Sequence, residues 1–122
     1  MAGLARLKRR PEFLAVAASR RRWVAPGLIL QAARRPEDSD LPAQPRIGFT
    51  ASRKVGIAVL RNRARRRLKA AAEQVLPRHG APGFDYVAIA RTETATRPFA
   101  ELVADMTTAM ERLNAREKAG VR

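Results

Sequence analysis

A short run of arginines is the feature that most constrains this chain. Residues 61–69 read Arg-Asn-Arg-Ala-Arg-Arg-Arg-Leu-Lys, so six of nine are cationic, and no acid follows before Glu73. At about 100° per residue, a helix over residues 55–76 gathers its small and apolar side chains on one stripe. The stripe residues, which we expect to pack on a core, are Leu60, Ala64, Leu68, Ala71 and Val75. The opposite face then carries Asn62, Arg65, Arg66 and Lys69, and the flanks carry Arg61, Arg63 and Arg67.

This charge distribution is unfavourable for an isolated helix. A solvated surface helix usually alternates charge signs at i, i+4, whereas like charges at that spacing are destabilising. The cations also lie in the N-terminal half, where the helix dipole favours anions. A simple solvated face is the alternative, but a surface that retains these repulsions is typical of a site for a polyanion.

Composition limits the fold and the partners. The chain has 122 residues, a size typical of one domain, so we predict a single domain over residues 1–122. Its net charge of +14 favours nucleic acid, with an anionic membrane surface as the alternative. The absence of cysteine excludes disulfides and thiolate metal sites, and we expect the single histidine, His79, in a solvated loop. Because no apolar run reaches membrane-spanning length, we expect a soluble, cytoplasmic protein.

The N-terminal half predicts one helix and two strands. Pro11 and Glu12 suit a helix start, so residues 11–19 are interpreted as a structural helix, although the Arg-rich N-terminus also resembles an organellar transit peptide. Residues 23–33 predict a strand, and the acidic, Pro-rich residues 34–45 predict a hairpin loop pointing away from the partner. In residues 46–54, apolar positions 47, 49 and 51 alternate with positions expected to face solvent: Gly48, Thr50, Ser52 and Lys54.

The C-terminal half completes the fold class. The basic helix should end before Pro77. Residues 85–91 are nearly all apolar, as in a strand covered on both faces, and the long preceding helix allows this strand to run parallel to strand 46–54. A last helix begins at Pro98, with a core stripe of Phe99, Leu102, Val103, Met106, Met110 and Leu113. The order α-β-β-α-β-α, with room for a further short strand at residues 20–24, predicts an α+β fold, an α/β sandwich.

Four stretches together resemble the bacterial ribonuclease P protein subunit. They are Arg6-Leu7-Lys8 ahead of Phe13, the run Ile47-Gly48-Phe49-Thr50-Ala51-Ser52-Arg53-Lys54-Val55-Gly56, the run from Ala58 to Lys69, and Asp85-Tyr86-Val87-Ala88-Ile89-Ala90-Arg91. The Arg-Asn-Arg triplet alone is a weak signal. Preceded by Ser-Arg-Lys-Val-Gly and followed by an Asp-Tyr-led strand ending in Ala-Arg, it is specific.

The resemblance implies a fold, partners and sites. The fold would be a small mixed sheet with a left-handed βαβ crossover, against the usual right-handed rule. The protein would act as a monomer in a 1:1 ribonucleoprotein with the catalytic RNA of ribonuclease P, and it would also contact the 5′ leader of precursor tRNA. The implied RNA-binding residues are Arg53, Lys54, Arg61, Asn62, Arg63, Arg65, Arg66 and Lys69. The implied leader cleft comprises Phe13, Gln31, Thr50, Ser52 and Arg91, with Arg53 beside them.

Three positions depart from the family pattern. Ala17 and Gln31 stand where aromatic residues are common, which leaves Phe13 as the main apolar platform for stacking in the cleft. Ile57 stands where Asn is common, and it removes a polar group from the entrance of the basic helix.

The residues themselves indicate binding and not protein-based cleavage. The sequence has no pair of carboxylates spaced for acid/base work, no metal-ligand cluster and no nucleophile beside a base. The resemblance implies that the RNA partner holds the Mg²⁺ ions and carries out the endonucleolytic step. The alternatives are a basic ribosomal or general single-stranded RNA-binding protein, and a metal-dependent protein nuclease that would have to use Glu37, Asp38 and Asp40.

Overall fold

A four-stranded mixed sheet lies at the centre of the protein. The computed structural model describes residues 4–120, with side chains as far as Arg116, so the predicted domain of residues 1–122 extends beyond the described part at both ends. In chain order the elements are α1 (Arg10–Ala18), β1 (Arg22–Val24), β2 (Leu28–Arg34), β3 (Arg46–Thr50), α2 (Ala58–His79), β4 (Phe84–Ala90) and α3 (Phe99–Gly120). Short 3-10 helices, Arg53–Val55 and Thr92–Ala95, follow β3 and β4. The predicted α+β class and element order are confirmed, with β1 as the additional short strand.

The strands are ordered β1-β2-β4-β3. β4 is antiparallel to β2 and parallel to β3, as the long intervening helix allowed. β4 lies inside the sheet, so both of its edges are paired, and helices cover both of its faces. Six of its seven residues are buried as a result. The prediction of a hairpin loop at residues 34–45 is therefore wrong, since β4 separates the two strands that this loop connects.

The segment predicted as one strand over residues 23–33 is two strands joined by a tight turn. Pro26 and Gly27 interrupt the extended chain, and the Ala25 N–H donates to the Leu28 carbonyl across the turn at 2.9 Å. A side chain at Gly27 would displace residues of α3, since a Cβ atom would lie 2.7 Å from Oδ2 of Asp105 and 2.8 Å from Leu102. Apolar content predicted the strands, but not the reversal between them.

Helices cover both faces of the sheet. On one face α2 and α3 enclose the main core, to which the sheet contributes Leu28, Leu30, Ile47, Tyr86 and Ala88. The predicted α3 stripe is confirmed, with Leu102, Met106, Met110 and Leu113 fully buried and Phe99 and Val103 packed at its margin. On the other face α1 forms a small cluster of Leu7, Val16 and Val87, against which Phe13, Ala33 and Ile89 pack.

The second face of β3 is not the solvent-facing surface that alternation predicted. Gly48 is buried, because the ring of Phe13 and the side chain of Leu7 lie directly over it. A Cβ atom at Gly48 would stand 2.5 Å from two carbons of the Phe13 ring. The glycine thus permits the close approach of α1 to the sheet, which sequence alternation cannot reveal. The strand itself ends at Thr50, before the predicted residue 54.

The C-terminal end of α2 also differs from expectation. The helix continues through Pro77 to His79, because a proline in the last turn interrupts only one hydrogen bond of the ladder. His79 is therefore a half-buried helical residue and not a loop residue. Its Nδ1 lies 3.5 Å from Glu111 of α3, and its carbonyl accepts from Asn114 at 2.7 Å. These contacts fix the end of α2 against α3.

Candidate nucleic-acid interface

The inner face of α2 anchors the basic helix to the sheet. Ala64, Leu68 and Ala71 are completely buried in the main core, as their spacing predicted. Leu60, expected to begin the same stripe, is instead 40% exposed and lies beside Gly56 at the start of the helix. The buried stripe therefore begins one turn later than predicted, and the first turn of α2 projects beyond the core.

The outer face of α2 presents the predicted cations to one concave surface. Asn62, Arg65, Arg66 and Lys69 line one side of a shallow groove of about 350 Å³. We call this surface the α2 groove; its remaining lining residues are Arg6 and Phe49. Nη2 of Arg65 donates to Oδ1 of Asn62 at 2.5 Å, so a side chain one turn earlier in the helix holds the guanidinium in place. Among the side chains that the structure describes, no acid lines the groove, and anions are the ligands that such a surface attracts.

The flanking arginines of α2 are engaged with the protein. Nε of Arg63 donates to the Ala95 carbonyl at 2.9 Å, and Nε of Arg67 donates to the Thr94 carbonyl at 3.0 Å. Arg67 also donates to the Arg97 carbonyl and lies 6.0 Å from the centre of the Phe99 ring. These two side chains tie α2 to the 3-10 helix after β4. Arg63 remains exposed and retains donors for a ligand, whereas Arg67 is half-buried.

The entrance of α2 carries the next group of predicted residues. Arg53 and Lys54 are exposed in the 3-10 helix that precedes α2, and Nη1 of Arg61 donates to the Gly56 carbonyl at 3.0 Å. Ile57 is the N-cap, with extended backbone and 69% exposure, and it supplies no side-chain cap. The first amide groups of α2 therefore add positive potential to the neighbouring cations.

Three residues of the predicted leader cleft share the α1 face of the sheet. Gln31 lies opposite Val87, Thr50 lies opposite Ile89, and Phe13 of α1 packs over the same face; all three predicted residues are half-buried. Directly paired residues point to the same side of a sheet. A partly open row thus crosses all four strands, made of Thr50, Ile89, Ile29 and Val24. Ala17, one of the family departures, is exposed on α1 and adds no aromatic wall.

The other two cleft residues lie beyond the C-terminal ends of β3 and β4, next to this row. Ser52 is exposed just beyond β3, and Arg91 follows β4, so the parallel strands bring both to the same edge of the sheet. Nη1 of Arg91 donates to the Ala25 carbonyl at 2.6 Å, and its backbone N–H donates to Thr94. Arg91 therefore braces the turn between β1 and β2, a structural role that its position after a strand did not reveal.

A buried ion network that the sequence patterns did not indicate holds α1 against the sheet. Asp85, 8% exposed, accepts from Arg35 at 2.6 Å and from two nitrogens of Arg46 at 2.8 and 2.9 Å. Arg46 continues to Glu12 of α1 at 2.9 Å. Arg35 also donates to the carbonyls of Pro42, Gln44 and Phe84. The one sequence signal for this network was Asp85 itself, an acid near the start of an otherwise apolar strand, because a buried carboxylate requires a partner.

Hydrogen bonding lowers the pKa of Glu12, the carboxylate at the α1 end of this network. The backbone N–H groups of Arg9 and Lys8 lower the pKa of Glu12, and Arg46 lowers it further. Asp85 raises the pKa of Arg46. The Glu12 carboxylate thus joins the start of α1 to β3 when it is ionised, and its protonation weakens that connection.

Two further findings concern the described residues alone. Among the side chains of residues 4–116, no group of three or more His, Cys, Asp or Glu is placed to hold a metal ion. None of the helices described is long and apolar enough to cross a membrane.

A mixed sheet covered by an arginine-rich helix, whose outer face lines a groove with four cations, defines a small, basic α/β protein of the RNA-binding class. Comparison with protein families narrows this class, because residues 1–114 match the family model described as Ribonuclease P. The chain belongs to the ribonuclease P protein family. It is therefore the protein subunit of an endoribonuclease complex of tRNA processing, and a ribosomal or general single-stranded RNA-binding role is not favoured.

Individual relatives agree with the family assignment. The ribonuclease P protein component of Paramagnetospirillum magneticum is 54% identical over 118 residues, covering 96% of this chain and 88% of the relative. That of Gluconacetobacter diazotrophicus is 50% identical over 117 residues, covering 96% and 92%. The solved ribonuclease P protein of Thermotoga maritima has a TM-score of 0.71 at 21% identity, covering 88% and 96%. That of Staphylococcus aureus has a TM-score of 0.69 at 20% identity, covering 88% and 93%, and these two likenesses confirm the fold.

Proposed function

We propose that this chain binds the RNA subunit of ribonuclease P through the outer surface of α2 and holds the 5′ leader of precursor tRNA on the α1 face of the sheet. The observation that carries the proposal is the separation of two chemically different surfaces. The α2 groove is lined mostly by cations, whereas the row beside α1 is apolar and partly open. Because α1 and α2 cover opposite faces of one thin sheet, one domain can contact two RNA segments at once.

The surface of α2 is suited to the RNA subunit. Arg65, Arg66 and Lys69 present donors that pair with phosphate oxygens, and each phosphate neutralised releases condensed counterions. Arg53 and Lys54 extend this surface past the start of the helix. Contacts of this kind position an RNA without reading its sequence.

The α1 face is suited to a single strand. Phe13 offers a half-buried ring over Gly48, on the same face of the sheet as Thr50 and Gln31, whose side chains can hydrogen-bond a nucleotide. Stacking on an aromatic ring is tolerant of sequence, as a leader that differs among precursor tRNAs requires. Exposed Ser52 lies at the edge where the strand would leave.

The cleavage step belongs to the RNA partner in this proposal. Mg²⁺ ions held by that RNA would supply the activated water and stabilise the leaving group, since phosphate oxygens are the hard ligands that Mg²⁺ prefers. The residues of this chain neutralise phosphates where the two RNAs meet and keep the leader extended, which is catalysis by positioning. The protein would act in the cytoplasm as a monomer in a 1:1 complex.

The first test concerns activity and the α2 surface. Protein freed of RNA should leave precursor tRNA intact, and addition of the RNA subunit should give 5′ maturation at physiological Mg²⁺. The double variant Arg65→Ala with Arg66→Ala should weaken RNA-subunit binding and reduce the slope of log affinity against log salt by roughly one unit for each phosphate that is no longer neutralised. The control, Arg10→Ala with Arg78→Ala, makes the same change in charge at two exposed positions outside the groove. Equal reductions in affinity in the two double variants would contradict the assignment, as would cleavage by RNA-free protein.

The second test concerns the leader. Phe13→Leu keeps an apolar side chain over Gly48 but removes the ring, so it separates a packing role from a stacking role. The variant should weaken binding of leader-containing tRNA relative to mature tRNA by about 1–3 kcal/mol, the range for stacking of one base. An unchanged preference for the leader, with only a lower unfolding midpoint, would show that Phe13 serves the core alone.

A further inference from the structure

Arg6 joins the basic helix from a distant part of the sequence. The N-terminal segment pairs with the outer edge of β3, where the Leu7 N–H donates to the Ile47 carbonyl at 3.1 Å and the Ile47 N–H donates to the Ala5 carbonyl at 2.9 Å. Arg6 lies directly opposite Ile47 in a parallel bridge. Because Ile47 faces the main core, Arg6 points to the same side of the sheet as α2. This pairing places its side chain in the α2 groove.

Arg6 rests on an aromatic ring. Its guanidinium carbon lies 4.9 Å from the centre of the Phe49 ring. Phe49 is only 9% exposed, so the core holds the ring in place while Arg6 itself is exposed. A guanidinium keeps its N–H donors in its own plane and can also stack through its flat faces. Arg6 can therefore accept a stacked base and a phosphate at the same time.

The α2 groove has the size and charge for one nucleotide. Its volume of about 350 Å³ lies within the range of small-ligand sites, roughly 300–1,000 Å³. Four cations line it: Arg6 from the N-terminal segment, and Arg65, Arg66 and Lys69 from α2. Like charges gathered in one concavity repel each other, and a bound phosphate relieves the repulsion. The amide of Asn62 adds a neutral group that can hydrogen-bond a base or a ribose hydroxyl.

We propose that the α2 groove is a subsite for a single unstacked ribonucleotide, whose base stacks on Arg6 and whose phosphate is held by Arg65 and Lys69. The inference rests on the proposed function and extends it, because Arg6 and Phe49 turn a phosphate-binding helix surface into a site that also accepts a base. Bases inside a double helix are stacked on each other, so the nucleotide comes from a bulge, a loop or a single strand. Either the RNA subunit or the precursor tRNA leader can supply such an unstacked nucleotide.

The test compares three variants against two RNAs. Arg6→Gln removes both the charge and the guanidinium plane, Arg6→Lys keeps the charge alone, and Arg10→Gln removes one charge from an exposed position outside the groove. Each protein is titrated into end-labelled RNA subunit and, separately, into a single-stranded oligonucleotide of leader sequence, over a series of salt concentrations. Unfolding midpoints are measured in parallel, and binding is compared only among folded variants.

Because Arg6→Gln removes stacking on one base, we expect its affinity for the RNA that supplies this base to drop by about 5-fold to 150-fold. Its salt slope should also fall by about one unit, while Arg6→Lys should bind more weakly with its slope retained. In binding to the RNA subunit, Arg10→Gln should remain within about twofold of the parent protein, because Arg10 belongs to α1, on the opposite face of the sheet from the α2 groove. The RNA that shows the Arg6 effect is the source of the nucleotide.

The outcomes separate this inference from the function on which it rests. If Arg6→Gln behaves like Arg10→Gln while the Arg65 and Arg66 double variant no longer binds the RNA subunit, the nucleotide subsite is refuted and the proposed function stands. If Arg6→Lys binds as tightly as the parent, Arg6 contributes only charge and the stacking assignment is refuted. If the parent protein fails to bind the RNA subunit, the proposed function itself is refuted. Should Arg6→Gln fail to fold, Arg6→Lys against the parent decides the stacking assignment.

Discussion

Gly48→Ala should destabilise the protein because the ring of Phe13 occupies the space that the new methyl group needs. The added Cβ would stand 2.5 Å from Cε2 and Cζ of the ring and 3.1 Å from Cβ of Leu7. Carbon atoms in favourable contact are about 3.5–4.0 Å apart, so the ring must move by roughly 1 Å or more. Insertion of a methyl group into a packed site costs about 1–3 kcal/mol. We expect a decrease in this range in the free energy of unfolding.

A double-mutant cycle isolates the cause. In a Phe13→Ala background the ring is absent, so Gly48→Ala should become nearly neutral or stabilise by about 0.4–1 kcal/mol, since alanine restricts the unfolded chain. Gly48 is not among the residues with a positive φ, so alanine fits its backbone. The coupling energy between the two positions should therefore be about 1–4 kcal/mol.

Urea unfolding followed by far-UV circular dichroism measures each free energy, and fluorescence of the single tryptophan, Trp23, provides a second probe. An equal effect of Gly48→Ala with and without the Phe13 ring would refute the close packing of α1 on β3. A decrease below about 0.5 kcal/mol in the parent background would refute it as well, because such values are typical of substitutions without a steric conflict.

Three further predictions concern stability. Ile57→Asn should raise the free energy of unfolding by about 1 kcal/mol in urea titrations, because Ile57 has N-cap geometry but no acceptor; an unchanged midpoint would show that the cap is not limiting. Asp85→Ala should lower it by about 3–5 kcal/mol, since Arg35 stays buried without its carboxylate, and a decrease below about 1 kcal/mol would contradict the network. The pKa of Glu12 is lowered in the folded protein, so its carboxylate stabilises the fold at pH values above its ordinary pKa of 4.5. This stabilisation disappears as the pH falls through the folded pKa. Glu12→Gln should therefore flatten the dependence of the unfolding free energy on pH below about 5.

Sequence periodicity predicted the buried stripes of α2 and α3, except that Leu60 lies outside the core. The i, i+3, i+4 spacing of apolar residues in α2 and α3 identified the buried stripes, and the run of apolar residues in β4 identified a strand covered on both faces. The arginine run after Ser-Arg-Lys-Val-Gly, taken together with Arg6-Leu7-Lys8 ahead of Phe13 and with the strand from Asp85 to Arg91, indicated the family and an RNA partner. These features are local, because each depends on residues within one element and on the geometry of that element.

Tertiary structure decided which elements meet. Asp85 pairs with Arg35 and Arg46, 50 and 39 residues earlier in the chain, and no local pattern marks either arginine as its partner. The insertion of β4 between β2 and β3 and the burial of Gly48 beneath Phe13 likewise follow from strand order and helix placement. Arg6 reaches the α2 groove only because its segment pairs with the edge of β3. Periodicity records which side of an element is buried, whereas contacts between elements depend on the free energy of packing the whole chain, and that information is not local.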